Sequence, residues 1–151
     1  EIKNVGMRAM DSMRLEKSYR LWGTDLNAEN SALEANLQRF IKLNKGEFTG
    51  RQALVEQQEQ GVPNKFCTIE IEANDTDSFG NEPIIIDGKV VGRGTSGGYG
   101  HFIRKSLMLG YIESDYANIG QECQVRLLDK LLPAKIIAES PYDPENIALK
   151  T

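Results

Sequence analysis

Apolar positions along the chain change their period once, near residue 62. Before that point Met7, Met10 and Met13 recur at helical spacing while Leu15 falls out of step. Residues 6–17 therefore predict a short helix that gives way to an extended segment over residues 13–21. Gly23-Thr24-Asp25-Leu26-Asn27 is a turn cluster. Ser31-Ala32-Leu33-Glu34 matches a capping box, with Ser31 as N-cap and Glu34 reaching back to it. Phe40-Ile41-Lys42-Leu43 predicts a short strand. Thr49-Gly50-Arg51-Gln52 repeats the capping-box spacing and opens a helix over residues 51–60, closed by Gly61 and Pro63.

After Pro63 the period drops to two. Residues 65–72 alternate apolar and polar, as a half-buried strand does. Ile84-Ile85-Ile86, Asp87-Gly88 and Lys89-Val90-Val91 make a hairpin signal, because Asp-Gly supplies the positive φ angles of a type I′ turn. Further strands fit residues 107–112, 123–128 and 133–139. Short strands at this spacing predict a small antiparallel barrel or sandwich. The fold class is α+β, dividing into a mixed α/β part (residues 1–61) and a β part (62–151).

Composition narrows the function classes. With 151 residues, 40% hydrophobic and 26% charged, the chain is long enough to bury a core without disulfides or metal. No run approaches the roughly 18–20 apolar residues of a membrane span. The start, Glu1-Ile2-Lys3-Asn4-Val5, has no signal-peptide pattern and no initiator Met, which points to a piece of a longer protein. Residues 1–60 hold nine basic and nine acidic side chains, and residues 61–151 hold nine and thirteen. Neither part is basic enough to bind a nucleic-acid backbone by charge. Cys67 and Cys123 lie in alternating stretches without C-x-x-C or histidine partners, so they read as reduced core thiols in a reducing compartment.

Few residues carry evident chemistry. Gly92-Arg93-Gly94-Thr95-Ser96-Gly97 spells G-x-G-x-x-G, which cradles a pyrophosphate only where a strand ends and a helix begins. Its flank is a tight hairpin and more glycines follow, so it reads either as a loop between strands or as backbone lining a ligand cleft. Asp75-Thr76-Asp77 begins like a calcium loop, but Phe79 and Ile86 stand where oxygen ligands belong; an exposed acidic turn results. His101 is the single histidine and has no evident triad or zinc partners. Arg104-Lys105 either pairs with an anion or faces water. Tyr19-Arg20-Leu21-Trp22-Gly23 suits a flat, hydrogen-bonding heterocycle and equally suits a domain core.

One run is familiar as a whole. Ala9-Met10-Asp11-Ser12-Met13-Arg14-Leu15-Glu16-Lys17-Ser18-Tyr19-Arg20-Leu21-Trp22-Gly23 resembles the C-terminal part of dimethylglycine and sarcosine dehydrogenases, which is itself similar to the aminomethyltransferase (T-protein) of the glycine cleavage system. The likeness continues, in the same order, through Ser31-Ala32-Leu33-Glu34, Phe48-Thr49-Gly50-Arg51-Gln52, Asp87-Gly88-Lys89-Val90-Val91-Gly92, Thr95-Ser96-Gly97-Gly98-Tyr99-Gly100 and Ser140-Pro141-Tyr142-Asp143-Pro144. The form R-L-E-K-x-Y-R-x-W lies nearer the flavin-linked branch.

The resemblance implies the end of a folate-binding middle domain (1–61) followed by a C-terminal β-barrel (62–151). It implies tetrahydrofolate as cofactor and FAD bound elsewhere in the parent, which would oxidise an N-methyl amine to an iminium. Capture of that carbon would yield 5,10-methylenetetrahydrofolate. The implied partners are the parent's upstream domains and folate, in a bacterial cytoplasm or mitochondrial matrix. The T-protein's folate-contacting arginine corresponds to Met10, leaving Arg8 or Arg14 as substitutes. Its tyrosine before glycine corresponds to Trp22, and its basic C-terminal end to Lys150. The implied cofactor contacts are therefore Arg14, Tyr19, Trp22 and Lys150, with no catalytic residue in this chain. The rival readings are a regulatory or docking module of the same family and a fragment of a free aminomethyltransferase.

Overall fold

The computed structural model describes residues 2–150. Its centre is a closed antiparallel barrel of six strands: β1 (Asn64–Ile71), β2 (Pro83–Ile86), β3 (Lys89–Gly100), β4 (Lys105–Glu113), β5 (Glu122–Leu127) and β6 (Lys130–Ile137), in the order β1-β4-β3-β2-β5-β6. Closure explains the alternating pattern. Cys67, Ile69 and Ile71 of β1, Met108 and Ile112 of β4, Val125 of β5 and Ile136 of β6 form one buried cluster inside the barrel. No helix among the described residues is long and apolar enough to cross a membrane.

β1 and β4 are buried on both faces, which a lone barrel would not require. The residues between the inward ones, Phe66 on β1 and Leu107, Leu109 and Tyr111 on β4, form a second cluster with Leu15 and Ala35. The N-terminal part of the chain lies over this outer face. Phe66 and Tyr111 are register partners, and their rings meet edge-on with centroids 5.3 Å apart.

Helix α1 (Met7–Glu16) runs through residues 13–16, where the sequence predicted extended chain. Met13 and Leu15 are out of step because they occupy different faces: Leu15 is buried and Met13 is exposed. The helix ends in a Schellman arrangement, with the Tyr19 N–H donating to the Arg14 carbonyl, the Ser18 N–H donating to the Leu15 carbonyl, and Ser18 at φ 53°. Residues 40–43 are not a strand; a 3₁₀ turn over Gln38–Phe40 occupies part of them. A closed barrel offers no free edge for a further strand.

The Ser31–Glu34 capping box forms reciprocally, at 2.8 and 3.1 Å, but caps one turn that Asn36 ends at φ 54°. Helix α2 (Arg51–Gln60) has the expected bounds and a different start. Its N-cap is Gly50 in the left-handed region, not the Thr49 side chain. None of its residues is buried.

The glycine run is neither a loop nor a phosphate cradle. Residues 92–97 lie within β3, and β4 follows after a four-residue turn. The glycines permit close approach. A Cβ on Gly97 would strike the buried Ser78, and one on Gly98 would press on Leu15 of α1.

Candidate functional site

The run over residues 14–20 is almost entirely spent on fastening the N-terminal segment to the barrel. Glu16 is buried, and its Oε1 accepts the N–H groups of Phe102 and Ile103, closing the β3–β4 turn. Lys17 Nζ donates to the carbonyls of Tyr142 and Asp143 and to Asn146 Oδ1. Ser18 shares a 2.8 Å hydrogen bond with Thr68 and accepts the Ser140 N–H. Arg20 lies 4.3 Å over the Phe66 ring and forks onto Glu139.

Arg14 leads to the centre of the site. Its Nη1 donates to Asp25 Oδ2 at 2.9 Å and to Ser96 Oγ at 3.0 Å, while its Nε reaches Asp11 at 3.3 Å. Asp25 is fully buried, and its carboxylate accepts from Arg14, the Leu21 N–H, Thr95 Oγ1 and Ser96 Oγ. Its main-chain carbonyl accepts the Tyr111 hydroxyl at 2.8 Å. A buried carboxylate without such donors would be costly; with four it locks three elements together. Burial also pushes the Tyr111 phenol up to about 12, Asp25 and Glu34 adding to that and Arg20 opposing it.

The segment held by Asp25 closes on itself. The Gly23 N–H donates to the Leu26 carbonyl, and the Asp25 and Leu26 N–H groups donate to the Leu21 carbonyl. Trp22 sits at the tip, 82% exposed. The core alternative for Tyr19 to Trp22 therefore fails at the tryptophan; only Arg20 of that run is inserted. Tyr19 is 45% exposed and lines an apolar groove of about 350 Å³ with Met13, Phe102, Tyr142 and Leu149.

A second cleft, of about 430 Å³, lies between α1, the loop before β2 and β3. Arg8, Ser12, Arg14, Phe79, Tyr99 and His101 line it, over a floor that includes Gly97 and Gly98. The glycine run thus does contribute backbone to a cleft. Arg14 borders this cleft and Tyr19 borders the other groove. Lys150 is exposed on the C-terminal turn, its Nζ donating to the Glu145 carbonyl at 3.0 Å. The four sequence-derived contact residues are not gathered in one pocket. Asp25 joins Arg14 to the Leu21 N–H, one residue before Trp22. His101 stacks edge-on against Tyr99, and Lys105 pairs with Glu70 at 2.5 Å. No group of three or more metal-ligating side chains occurs among the described residues.

Sequence reasoning missed Asp25, Thr95 and Ser96. An aspartate in a turn cluster is ordinary, and the two hydroxyls were read as part of a glycine motif. Only the fold brings them within reach, across 70 residues of chain.

α1 is amphipathic in an unusual sense. Its barrel side buries Ser12, Leu15 and Glu16, whereas Met7, Met10 and Met13 are 79, 52 and 51% exposed. The methionine stripe leaves an apolar row uncovered on α1, and Trp22 is separately exposed on the following turn.

Comparison with known proteins places this architecture. The model of the glycine cleavage T-protein C-terminal barrel domain matches residues 64–143, and that of the GCVT N-terminal domain matches residues 1–45. The chain is 42% identical over 139 residues to a mitochondrial dimethylglycine dehydrogenase of Rattus norvegicus, covering 91% of this chain and 16% of that protein. It is 33% identical over 141 residues to an aminomethyltransferase of Thermoanaerobacter pseudethanolicus, covering 93% of this chain and 38% of the relative. The crystal structure of aminomethyltransferase T of the glycine cleavage system from Bartonella henselae superposes with a TM-score of 0.86 at 22% identity, over 93% of this chain and 40% of that one. The chain thus spans well under half the length of these relatives. With the barrel model matching more than half of its residues, the chain belongs to the glycine cleavage T-protein C-terminal barrel family.

Proposed function

We propose that this chain is the folate-binding, one-carbon-transfer portion of a longer FAD-dependent dehydrogenase acting on dimethylglycine, sarcosine or a related N-methyl amine. In this reading residues 1–61 end a middle domain, and residues 62–151 are the barrel that buttresses it. The observation that carries the reading is the row of exposed methionines on α1, Met7, Met10 and Met13, on a helix whose opposite side packs on the barrel. Such a surface is expected where the parent's upstream domains pack and close a cleft.

In this reading the residues present are separate contacts for a flat heterocycle in a site that the upstream domains complete. Trp22 offers an exposed ring, Arg14 borders one cleft beside α1 and Tyr19 borders the other groove. Lys150 is the proposed contact for an acidic tail. Bound tetrahydrofolate supplies the nucleophilic nitrogens that take up a one-carbon unit. This chain's share is to orient the ring and to exclude water, so that a reactive iminium meets a nucleophile before it hydrolyses. The glycine run is interior to β3 and so forms no strand-to-helix dinucleotide cradle; in this reading FAD binds elsewhere in the parent. The proposed location is a bacterial cytoplasm or mitochondrial matrix.

The second reading, a regulatory or docking module, draws on two observations. Met10 stands where the T-protein has its contacting arginine, and Arg14 is committed to Asp25. Calorimetry with tetrahydrofolate separates the two. The transfer reading expects affinity in the longer protein and little or none in the 151-residue chain. A longer protein without folate affinity leaves the docking reading standing.

A further inference from the structure

We propose that Lys17 is the latch of a C-terminal strap: it holds residues 143–150 against α1, and its release opens the apolar groove beside α1 while the barrel stays folded. The latch is a property of the fold, whatever ligand the longer protein holds.

The segment enters well fastened. The Ser140 N–H donates to Ser18 Oγ, Ser140 Oγ donates to the Lys17 carbonyl, and the Tyr142 N–H donates to the Glu16 carbonyl. The Tyr142 and Phe102 rings meet edge-on, with centroids 4.4 Å apart. After Tyr142 the pattern changes to a turn that closes on itself. The Asp143 carboxylate accepts the Ile147 and Ala148 N–H groups, the Asp143 carbonyl accepts the Asn146 N–H, and Lys150 Nζ returns to the Glu145 carbonyl.

Among the described residues, only Lys17 Nζ joins this turn to the rest of the chain by hydrogen bonds. It donates to the Asp143 carbonyl at 2.6 Å and to Asn146 Oδ1 at 2.7 Å, and reaches the Tyr142 carbonyl at 3.3 Å. An ammonium has three protons to give, and all three go to the strap. Asp143 and Asn146 stand at φ 43° and 57°, a left-handed region that Asp and Asn enter more readily than other side chains but still at a cost. Both lend Lys17 an oxygen, so the ammonium fixes the turn in that conformation. A turn this short does not hold by itself.

The groove of about 350 Å³ exists because the turn is held. Tyr142, Ala148 and Leu149 form one wall, and Met13, Tyr19 and Phe102 line the other side. Apolar contact is a weak tether here, since Ile147 and Leu149 are 58 and 73% exposed. Lys150 rides on the same turn, so in the folate reading the latch also sets where that contact stands.

Hydrogen exchange read by mass spectrometry on the 151-residue chain is the test. Lys17→Met keeps the stem and removes all three donors. Amides of residues 146–150 should exchange at least tenfold faster, with residues 107–112 of β4 unchanged. Endoproteinase Glu-C should release residues 146–151 at least tenfold faster as well. Lys17→Arg keeps a cation with donors and should fall between the two. Asn146→Asp puts a charge on the acceptor and should slow both exchange and cleavage. Unchanged strap exchange in Lys17→Met overturns the latch. Equal acceleration in β4 also overturns it, because Lys17 would then stabilise the whole fold. If Lys17→Met fails to fold, Asn146→Asp decides, and unchanged or faster strap exchange in that variant overturns the latch.

Discussion

Arg20 and Glu139 form a two-point ion pair, 2.6 and 3.0 Å, across 119 residues of chain. The guanidinium lies on Phe66 and also donates to the carbonyls of Ala35 and Ser18. The Arg20 side chain is nearly buried while Glu139 is more than one-third exposed, so solvent screens part of the attraction. The pair ties the N-terminal segment to the end of β6. Arg20→Ala should lower stability by about 2 kcal/mol. Arg20→Lys should lose about half of that, because an ammonium cannot fork. Urea denaturation followed by circular dichroism measures both, and equal midpoints for wild type and Arg20→Ala would refute the clamp.

The glycine run supplies a second test. Gly97→Ala sets a methyl group against Ser78, which is buried and bonded to the Leu107 carbonyl. A cost of about 1–3 kcal/mol is expected, the usual range for overpacking a core. Gly61→Ala meets no neighbour, but Gly61 sits at φ 85°, so its cost comes from backbone strain alone. A dinucleotide site would instead show ligand-dependent stabilisation, which thermal shift with NAD should fail to detect.

The two thiols and one phenol give a pH dependence whose sign is fixed. Burial pushes Cys67 up to about 12 and Cys123 up to about 11, Glu139 adding to the first. Tyr111 also stands at about 12. The folded chain holds these protons more tightly than the unfolded chain does. Stability is therefore complete below the ordinary thiol value near 9 and falls as pH climbs from there towards 12. Urea midpoints at pH 7.5 and pH 10 should differ in that direction. A disulfide reagent at pH 8 should find no reactive thiol in the native chain and two after unfolding.

The strands were legible because a closed barrel imposes a period of two, and Ile84 to Val91 carried its own turn chemistry. The barrel face that α1 and residues 18–37 cover was not legible. Phe66, Leu107, Leu109 and Tyr111 alternate with inward residues, so both parities are apolar and the period blurs over β1 and β4. The start of β3 at Lys89 to Val91 was legible, but its glycine-rich remainder reads as a loop because glycine has poor strand propensity, whereas here it lets Ser78 and α1 approach the sheet. In the site, Trp22 and Arg14 stood out by side-chain type. Asp25 did not, because its partners lie up to 86 residues away and its burial is a property of the fold.

The methionine stripe separates a domain interface from an ordinary surface. Met7, Met10 and Met13 are exposed on one side of α1, while the opposite side is fixed by Ser12, Leu15 and Glu16. Replacing all three methionines by glutamine should leave the urea midpoint of the 151-residue chain within about 0.5 kcal/mol, as exposed positions usually do. It should also reduce self-association in sedimentation. In the longer protein the same replacement should cost roughly 1–2 kcal/mol per methionine, because each would leave a covered apolar site. The short chain and the longer protein must therefore respond differently. If the longer protein is as indifferent as the short chain, the stripe faces water in both, and nothing packs on α1.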